Sequence, residues 1–265
     1  MSQLDTKAPR IILWDIETLP NFKEVMKVFP GLSAYPGLTL KATISSIICV
    51  GWKVLGEKRV NVISAWDFKT RWRKNVNDDY SVVKAAYDVL KDADCIVTHN
   101  GKRFDWKHLQ TRLIANNLPT LPKIPHIDTC SEAKKHLLSF NNRLNTLADL
   151  MADEKKMEHE GWELWTKVLN KNHAAMIKME KYCQQDVIVL EKIFKRLRPL
   201  MSGLPNYNAF LDPLGKSCPN CGSHTLIKDG TKTRTNGIFQ AYMCKDCLTT
   251  SQIKIKTHSK CLKQV

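Results

Sequence analysis

The chain has 265 residues, 43% apolar and 25% charged, enough for one substantial core and a small appendage, which excludes a disordered or fibrous protein. Its first ten residues, MSQLDTKAPR, hold no apolar run of signal-peptide length, and no stretch approaches the ~18 apolar residues of a membrane span, so a cytoplasmic location is expected. A net charge of +15 points to a polyanionic partner, nucleic acid ahead of an anionic membrane surface.

A first strand is predicted over 10–15, inside ILWDIET (residues 12 to 18), which closes on two carboxylates one residue apart, Asp15 and Glu17. Alternate strand positions share a face, so the two acids lie side by side where a sheet opens to solvent. Like charges held that close call for a cation between them, and carboxylate oxygens suit a hard divalent one. Residues 18–43 make a long connection with Pro20, Pro30, Gly31, Pro36 and Gly37. It reads equally as a functional loop or as a surface insertion with a short helix over 22–28. Strands follow near 44–54 and 60–65. KTRWRKN (69 to 75) interleaves Trp72 with Lys69, Arg71, Arg73 and Lys74 and reads as a basic loop, with base stacking on Trp72 as the sharper alternative.

Next come a helix over 81–91 and a strand over 94–98. VTHNGKRFDW (97 to 106) then runs through Asn100 and Gly101 into a helix over 104–116. Asp105, in its first turn, reads on its own as a cap or dipole partner before a catalytic acid. His99 is expected as a hydrogen-bonded packing residue, and Arg103 and Arg143 as solvated cations that a phosphate can reach. A short strand near 124–127 ends in HIDT, where His126 and Asp128 close the strand and cap a helix over 129–138. A long helix over 172–197 is amphipathic through Met176, Met179, Cys183, Val187, Leu190 and Phe194, and Tyr182 and Asp186 share one edge of that stripe. Three early strands followed by alternating helices and strands predict an α/β fold, a mixed sheet flanked by helices.

Past residue 201 the composition changes. Residues 202–216 collect Pro, Gly, Asn and Ser and read as a linker between a domain over 1–201 and a module over 217–257, with a basic tail at 258–265. Four of the nine cysteines form two C-x-x-C pairs, Cys218 with Cys221 and Cys244 with Cys247, separated by 22 residues. That spacing closes a four-sulfur shell around one structural zinc ion. Lys228-Asp229-Gly230 reads as a turn, and 239–244 and 250–256 as strands, together a small β zinc ribbon. His224 is a possible substitute ligand, although the cysteines already complete the shell. Cys49, Cys95, Cys130 and Cys183 are expected in the core, and Cys261 as a surface thiol. From 214 to 265 nine Lys/Arg face only Asp229 and Asp246, so the module is basic.

D-x-E (Asp15, Glu17), N-x-x-x-F-D (Asn100 to Asp105) and Y-x-x-x-D (Tyr182 to Asp186), in that order across residues 8 to 200, resemble the three motifs of the DEDDy 3′-5′ exonucleases. That superfamily is ribonuclease H-like and includes the proofreading domains of family B DNA polymerases. With FNNRLNTLADLM, GWELWTKVL and a C-terminal zinc ribbon, the whole layout is similar to exonuclease-like proteins of bacteriophages, and the resemblance to a proofreading module stops at the exonuclease-like domain. The resemblance implies a ribonuclease H-like fold and hydrolysis of nucleic acid by two Mg²⁺ or Mn²⁺ ions. It implies Asp15 bridging both ions, Glu17 and Asp186 completing one, Asp105 holding the second and Tyr182 orienting the attacking water. DNA is favoured over RNA as substrate, with single-stranded or frayed 3′ ends, and Asn100, Arg103, Lys232 and Arg234 are the expected nucleic-acid contacts. A replication or repair protein is a possible partner of the ribbon. The alternatives are an exoribonuclease and a non-catalytic nucleic-acid-binding protein that acts through the ribbon.

Overall fold

The computed structural model describes residues 9–19, 45–152, 162–201, 204, 206 and 217–256. The expected helix over 22–28, most of the linker and the basic tail lie outside these residues. The chain divides into one compact unit over Arg10–Phe194 and a second that begins at Lys195.

In chain order the first unit contains β1 (Ile11–Leu19), β2 (Ser46–Val54), β3 (Asn61–Ser64), a single 3₁₀ turn (Ala65–Phe68), α1 (Lys69–Lys74), α2 (Tyr80–Leu90), β4 (Cys95–Thr98), α3 (Asp105–Ala115), β5 (His126–Asp128), α4 (Thr129–His136), α5 (Leu144–Met151), α6 (Trp162–Leu169) and the long α7 (His173–Leu197). The five strands form one sheet in the order β3-β2-β1-β4-β5. β1 is antiparallel to β2 and parallel to β4, and β4 is parallel to β5, so this is the mixed sheet expected from the sequence. β1 is the middle strand and helices cover both of its faces, which is why IILWDIETL is buried almost throughout rather than in alternation. Ile12, Trp14 and Ile16 join a core with Val83, Leu90, Leu109 and Leu113, residues of α2 and α3.

α7 covers the opposite face, and Gly51 sets how closely it packs. On β2 this residue pairs with Asp15. A Cβ placed there would lie 2.9 Å from Cys183 Sγ, 3.1 Å from the Cys183 carbonyl oxygen and 3.2 Å from Val187 Cγ2. Only a glycine lets the helix backbone come this close. Further along, Lys53 Nζ donates to Glu191 Oε2 at 2.5 Å, a buried ion pair between β2 and α7. A second buried carboxylate, Asp79, accepts from Arg112 Nε and Nη2, both at 2.7 Å, from Asn116 Nδ2 at 2.8 Å and from the Ile47 amide at 2.9 Å. It ties α2, α3 and β2 together.

The stretch 69–74 departs from the expected basic loop. It is α1, and Trp72 is 1% exposed with its indole N–H donated to the Val76 carbonyl at 3.1 Å. Trp72 is a core residue and presents no face to a base, because the helical turn carries the basic side chains outward and the ring inward. α5 and α6 were likewise not foreseen as helices.

In the second unit, β6 (Leu226–Arg234), β7 (Gly237–Cys244) and β8 (Thr250–Lys256) form an antiparallel sheet in that order. Lys228-Asp229-Gly230 is not the turn expected. It lies inside β6 as a bulge, where pairing steps from Lys228↔Tyr242 to Thr231↔Gln240 and Gly230 takes φ +70°. The hairpin turns instead at residues 235–236, since a left-handed glycine serves a bulge as well as a turn.

Candidate active site

β1 outruns its parallel neighbour. Its pairing with β4 ends at Leu13↔Val97, while β1 continues to Leu19. Asp15 and Glu17 occupy this overhang, on the face covered by α7. A β-bulge follows at once, with Glu17 opposite Cys49 and Thr18 opposite Ile47, so Ile48 is the extra residue. Such bulges re-aim a strand beside functional sites. The Thr18 carbonyl leaves the ladder and accepts from Trp165 Nε1 at 3.1 Å.

α7 supplies the third acid. With its backbone seated over Gly51 at Cys183, the next turn brings Asp186 to β1. One carboxylate oxygen from each of Asp15, Glu17 and Asp186 lies within 4.8 Å of the others. Glu17 and Asp186 are buried and Asp15 is half-buried. Three carboxylates gathered this tightly, with hard oxygen donors and no thiolate or imidazole among them, have the composition of a Mg²⁺ or Mn²⁺ site. Tyr182 is also buried, one turn before Asp186 on the same helix. Beneath the acids, Cys183 Sγ reaches the Asp15 carbonyl at 3.8 Å and contacts the Cys49 thiol. Hydrogen bonding with Cys49 and burial hold the Cys183 thiol well above its ordinary pKa, so these sulfurs are neutral packing groups.

Asp105 arrives from the other side. The β4–α3 connection is tightly specified: Asn100 takes φ +61°, and a Cβ on Gly101 would stand 2.4 Å from Thr98 Oγ1. Asp128 caps α4 through the Cys130 and Ser131 amides and also accepts the Asn100 and Lys102 amides, at 2.9 and 3.1 Å. Held in this way, the turn delivers Asp105 to the start of α3, buried, where its carboxyl accepts the Ile16 amide. That amide lies beyond the last β1–β4 pair, so the side chain replaces the missing strand partner. Asp105 is outside the three-acid cluster yet within its field. Burial above all, then the charges of Asp128 and Asp186, raise its pKa to about 7, against the opposing hydrogen bonds from its own and the Ile16 amides.

Among the other expected residues, Asn100 and Arg103 are exposed on the β4–α3 turn. His99 is half-buried, its Nδ1 2.9 Å from Thr129 Oγ1 and its Nε2 3.0 Å from the Asn142 carbonyl oxygen. His126 Nε2 sits 2.8 Å from Thr98 Oγ1, and burial draws its pKa down to about 4. Lys232 and Arg234 are exposed on β6, Lys232 with Asp229 at 3.6 Å. The Gly51 seat under α7 went unnoticed in the sequence, where a lone glycine inside a strand was the available signal.

In the ribbon, the sulfurs of Cys218, Cys221, Cys244 and Cys247 lie within 4.8 Å of one another, a set able to hold one zinc ion. The two knuckles share one design. The Gly222 amide donates to the Cys218 carbonyl at 2.9 Å and the Leu248 amide to the Cys244 carbonyl at 3.0 Å, with left-handed φ of +77° and +58°. Asn220 donates its amide to Cys218 Sγ at 3.4 Å and its Nδ2 to Cys247 Sγ at 3.6 Å. Burial opposes ionisation of Cys247, but hydrogen bonds from Thr249 and its neighbours prevail and bring it to about 6, whereas burial and the neighbouring thiols push Cys218 and Cys221 upward.

Among the described residues, no helix is long and apolar enough to cross a membrane. Comparison with curated proteins finds no match. Among solved structures, the family B DNA polymerase of the hyperthermophilic archaeon Pyrobaculum calidifontis is similar in fold. The TM-score is 0.51 at 17% identity, over 73% of this chain and 25% of the polymerase chain. The chain thus spans about a quarter of that polymerase. The model of the RNase H superfamily matches residues 39–198, more than half of the sequence and including Asp105, Tyr182 and Asp186. With the ordered mixed sheet beneath it and the β1 acids brought to the same place, the chain belongs to the RNase H superfamily.

Proposed function

We propose that this protein is a metal-dependent 3′-5′ exonuclease acting on single-stranded or frayed ends, DNA before RNA. The observation that carries this reading is the convergence of Asp15, Glu17 and Asp186 within 4.8 Å, with Asp105 and Tyr182 beside them. Asp15, Glu17, Asp186 and Asp105 are the residues that would hold two Mg²⁺ or Mn²⁺ ions. When bound, these ions supply charge stabilisation at the phosphoryl oxygens and a water that ionises near neutral pH. Tyr182, buried one turn before Asp186 on the same helix, would orient the attacking water. Hydrolysis adds that water across the P–O3′ bond, leaving phosphate on the 5′ oxygen of the released nucleotide. Glu17, Asp105 and Asp186 are largely withdrawn from solvent, which strengthens the hold of their carboxylates on a cation. The zinc ribbon adds a basic module for nucleic acid, with Lys232 and Arg234 on its outer strand, and is the surface on which a replication or repair protein would dock.

The test is digestion of 5′-labelled single-stranded DNA and its RNA equivalent with Mg²⁺, Mn²⁺ or EDTA, by the native protein and by Asp15→Ala. A metal-dependent ladder shortening from the 3′ end, lost in the variant, is expected. Intact substrate under every condition, with binding equal in both proteins, would refute the exonuclease and leave the ribbon as the working part.

A further inference from the structure

The edge of the sheet that carries the acids also carries a cleft. β4 and β5 run parallel to β1 and end on its side, and Asp15, two residues past the Leu13↔Val97 pair, is level with His99. Between the β4–α3 turn, α4 and the connection 137–143 opens a space of about 570 Å³ lined by His99, Asn100, Lys134, Asn141 and Arg143. Two cations line it, with His99, three asparagines, Cys130 and Leu144 completing the wall. Glu132, the acid on α4, is engaged by Lys135 at 2.6 Å and His136 at 3.5 Å, away from Lys134.

The connection 137–143 is tied down by its own hydrogen bonds. Asn141 Oδ1 accepts from the Arg143 amide at 3.0 Å and from the Thr146 hydroxyl at 2.7 Å, and the Ser139 hydroxyl donates to the Asn141 carbonyl at 2.7 Å. His99 meets the Asn142 carbonyl from the cleft wall. On this fastened backbone Phe140 is 100% exposed, and Leu138 is equally bare. A wholly exposed ring on the segment that brings Arg143 into a cleft with two cations offers the two elements of single-strand recognition, positive charge for phosphates and a π-face for bases. A paired base hides its faces in the stack, so such a ring takes an unpaired one.

We propose that this cleft binds an unpaired segment of nucleic acid, with Lys134 and Arg143 on its phosphates and a base stacked on Phe140. It thereby leads a single strand toward the acids. The destination rests on the exonuclease reading, whereas the binding does not.

Fluorescence anisotropy of 5′-labelled single-stranded DNA and RNA 12-mers and of a blunt DNA hairpin closed by a non-nucleotide linker, which leaves no base unpaired, tests it, in the full chain carrying Asp15→Ala so that the strand stays intact. Adding Phe140→Ala is expected to weaken single-strand binding roughly 5- to 100-fold and to leave the hairpin unchanged, with Phe140→Trp restoring it. Lys134→Ala with Arg143→Ala is expected to lower the slope of log affinity against log salt by about 1.4, the value for two single-strand phosphates. Single-strand binding unchanged by Phe140→Ala, or lost by the same factor on the hairpin, overturns the proposal. Which polymer responds more strongly to Phe140→Ala identifies the strand the cleft prefers. If the native protein cleaves 3′ ends and Phe140→Ala binds as its parent does, the cleft fails and the exonuclease stands. If nothing is cleaved but Phe140→Ala still loses single strands, the cleft stands and the exonuclease fails.

Discussion

Gly51→Ala is the sharpest probe of how the fold builds the acidic cluster. The added methyl would lie 2.9, 3.1 and 3.2 Å from three atoms of α7, all inside ordinary contact distance. Two of the three have little freedom to yield, since one is the Cys183 carbonyl oxygen and another a methyl of β-branched Val187. Relieving the carbonyl contact alone moves the helix about 0.3 Å from the sheet, taking 3.4 Å as the near limit of ordinary contact. Over-packing of this kind costs about 1–3 kcal/mol, against about 0.4–1 kcal/mol gained from a stiffer unfolded chain. The net loss of about 1–2 kcal/mol lowers Tm by roughly 2–8 °C in a domain of this size. The same displacement exceeds the ~0.2 Å latitude of metal–ligand distances, so Mn²⁺ affinity should fall roughly tenfold, as when a ligand's supporting partner is lost. Thermal melts and Mn²⁺ titration of the two proteins measure both effects. Adding Cys183→Ala removes the sulfur contact but not the carbonyl contact, so it should recover only part of the loss. A Gly51→Ala protein with unchanged Mn²⁺ affinity and raised Tm would show that Asp186 is not seated through this contact.

Asp105 has a folded pKa of about 7 against 3.8 for an ordinary aspartate, so the metal-free folded state keeps a proton that the unfolded chain releases. Its contribution to stability is therefore fully present below about pH 4 and lost as pH rises to about 7. Tm measured over that range in metal-free buffer should show this slope in the native protein and lack it in Asp105→Asn, and equal slopes would contradict it. Asp79→Ala strands Arg112 without its buried partner and should cost about 3–5 kcal/mol by urea unfolding, while Arg71→Ala, in a half-exposed pair with Asp78, should cost under about 1 kcal/mol. Cys247→Ser should release zinc and abolish protection of β7 amides from exchange, with the amides of β1 unaffected. Leu248→Gly, at a left-handed position, should stabilise the zinc-loaded ribbon by about 1 kcal/mol, visible as slower zinc loss to a chelator.

Most of this architecture is legible in one sequence because its signals are local. Asp15 and Glu17 reveal their common face through strand alternation, and Asp186 its inward direction through the apolar stripe of α7. The spacing of the Cys218 and Cys244 pairs signals a four-sulfur cluster, which the fold assembles. What escaped depends on contacts between distant residues or on ambiguous local ones. Lys228-Asp229-Gly230 has the composition of a turn, and only the partner strand shows that it is a bulge. Trp72 among four basic residues looks solvated until α1 turns it inward. Gly51 looks incidental without α7 above it. Asp105 is the intermediate case, since its helix start is readable but the Ile16 amide it accepts depends on β1 extending past β4.

That last feature separates two kinds of inheritance among the acids. Asp15, Glu17 and Asp186 crowd three like charges within 4.8 Å until something cationic joins them, so a descendant that lost its chemistry would gain by relieving that repulsion. Residue 105 also closes a backbone hydrogen bond at the frayed side of the central strand, and replacing it with an aliphatic side chain would strand a buried amide. In a lineage of inert relatives, an acceptor at 105 should outlast the other three acids, a vestige kept by architecture after catalysis has gone.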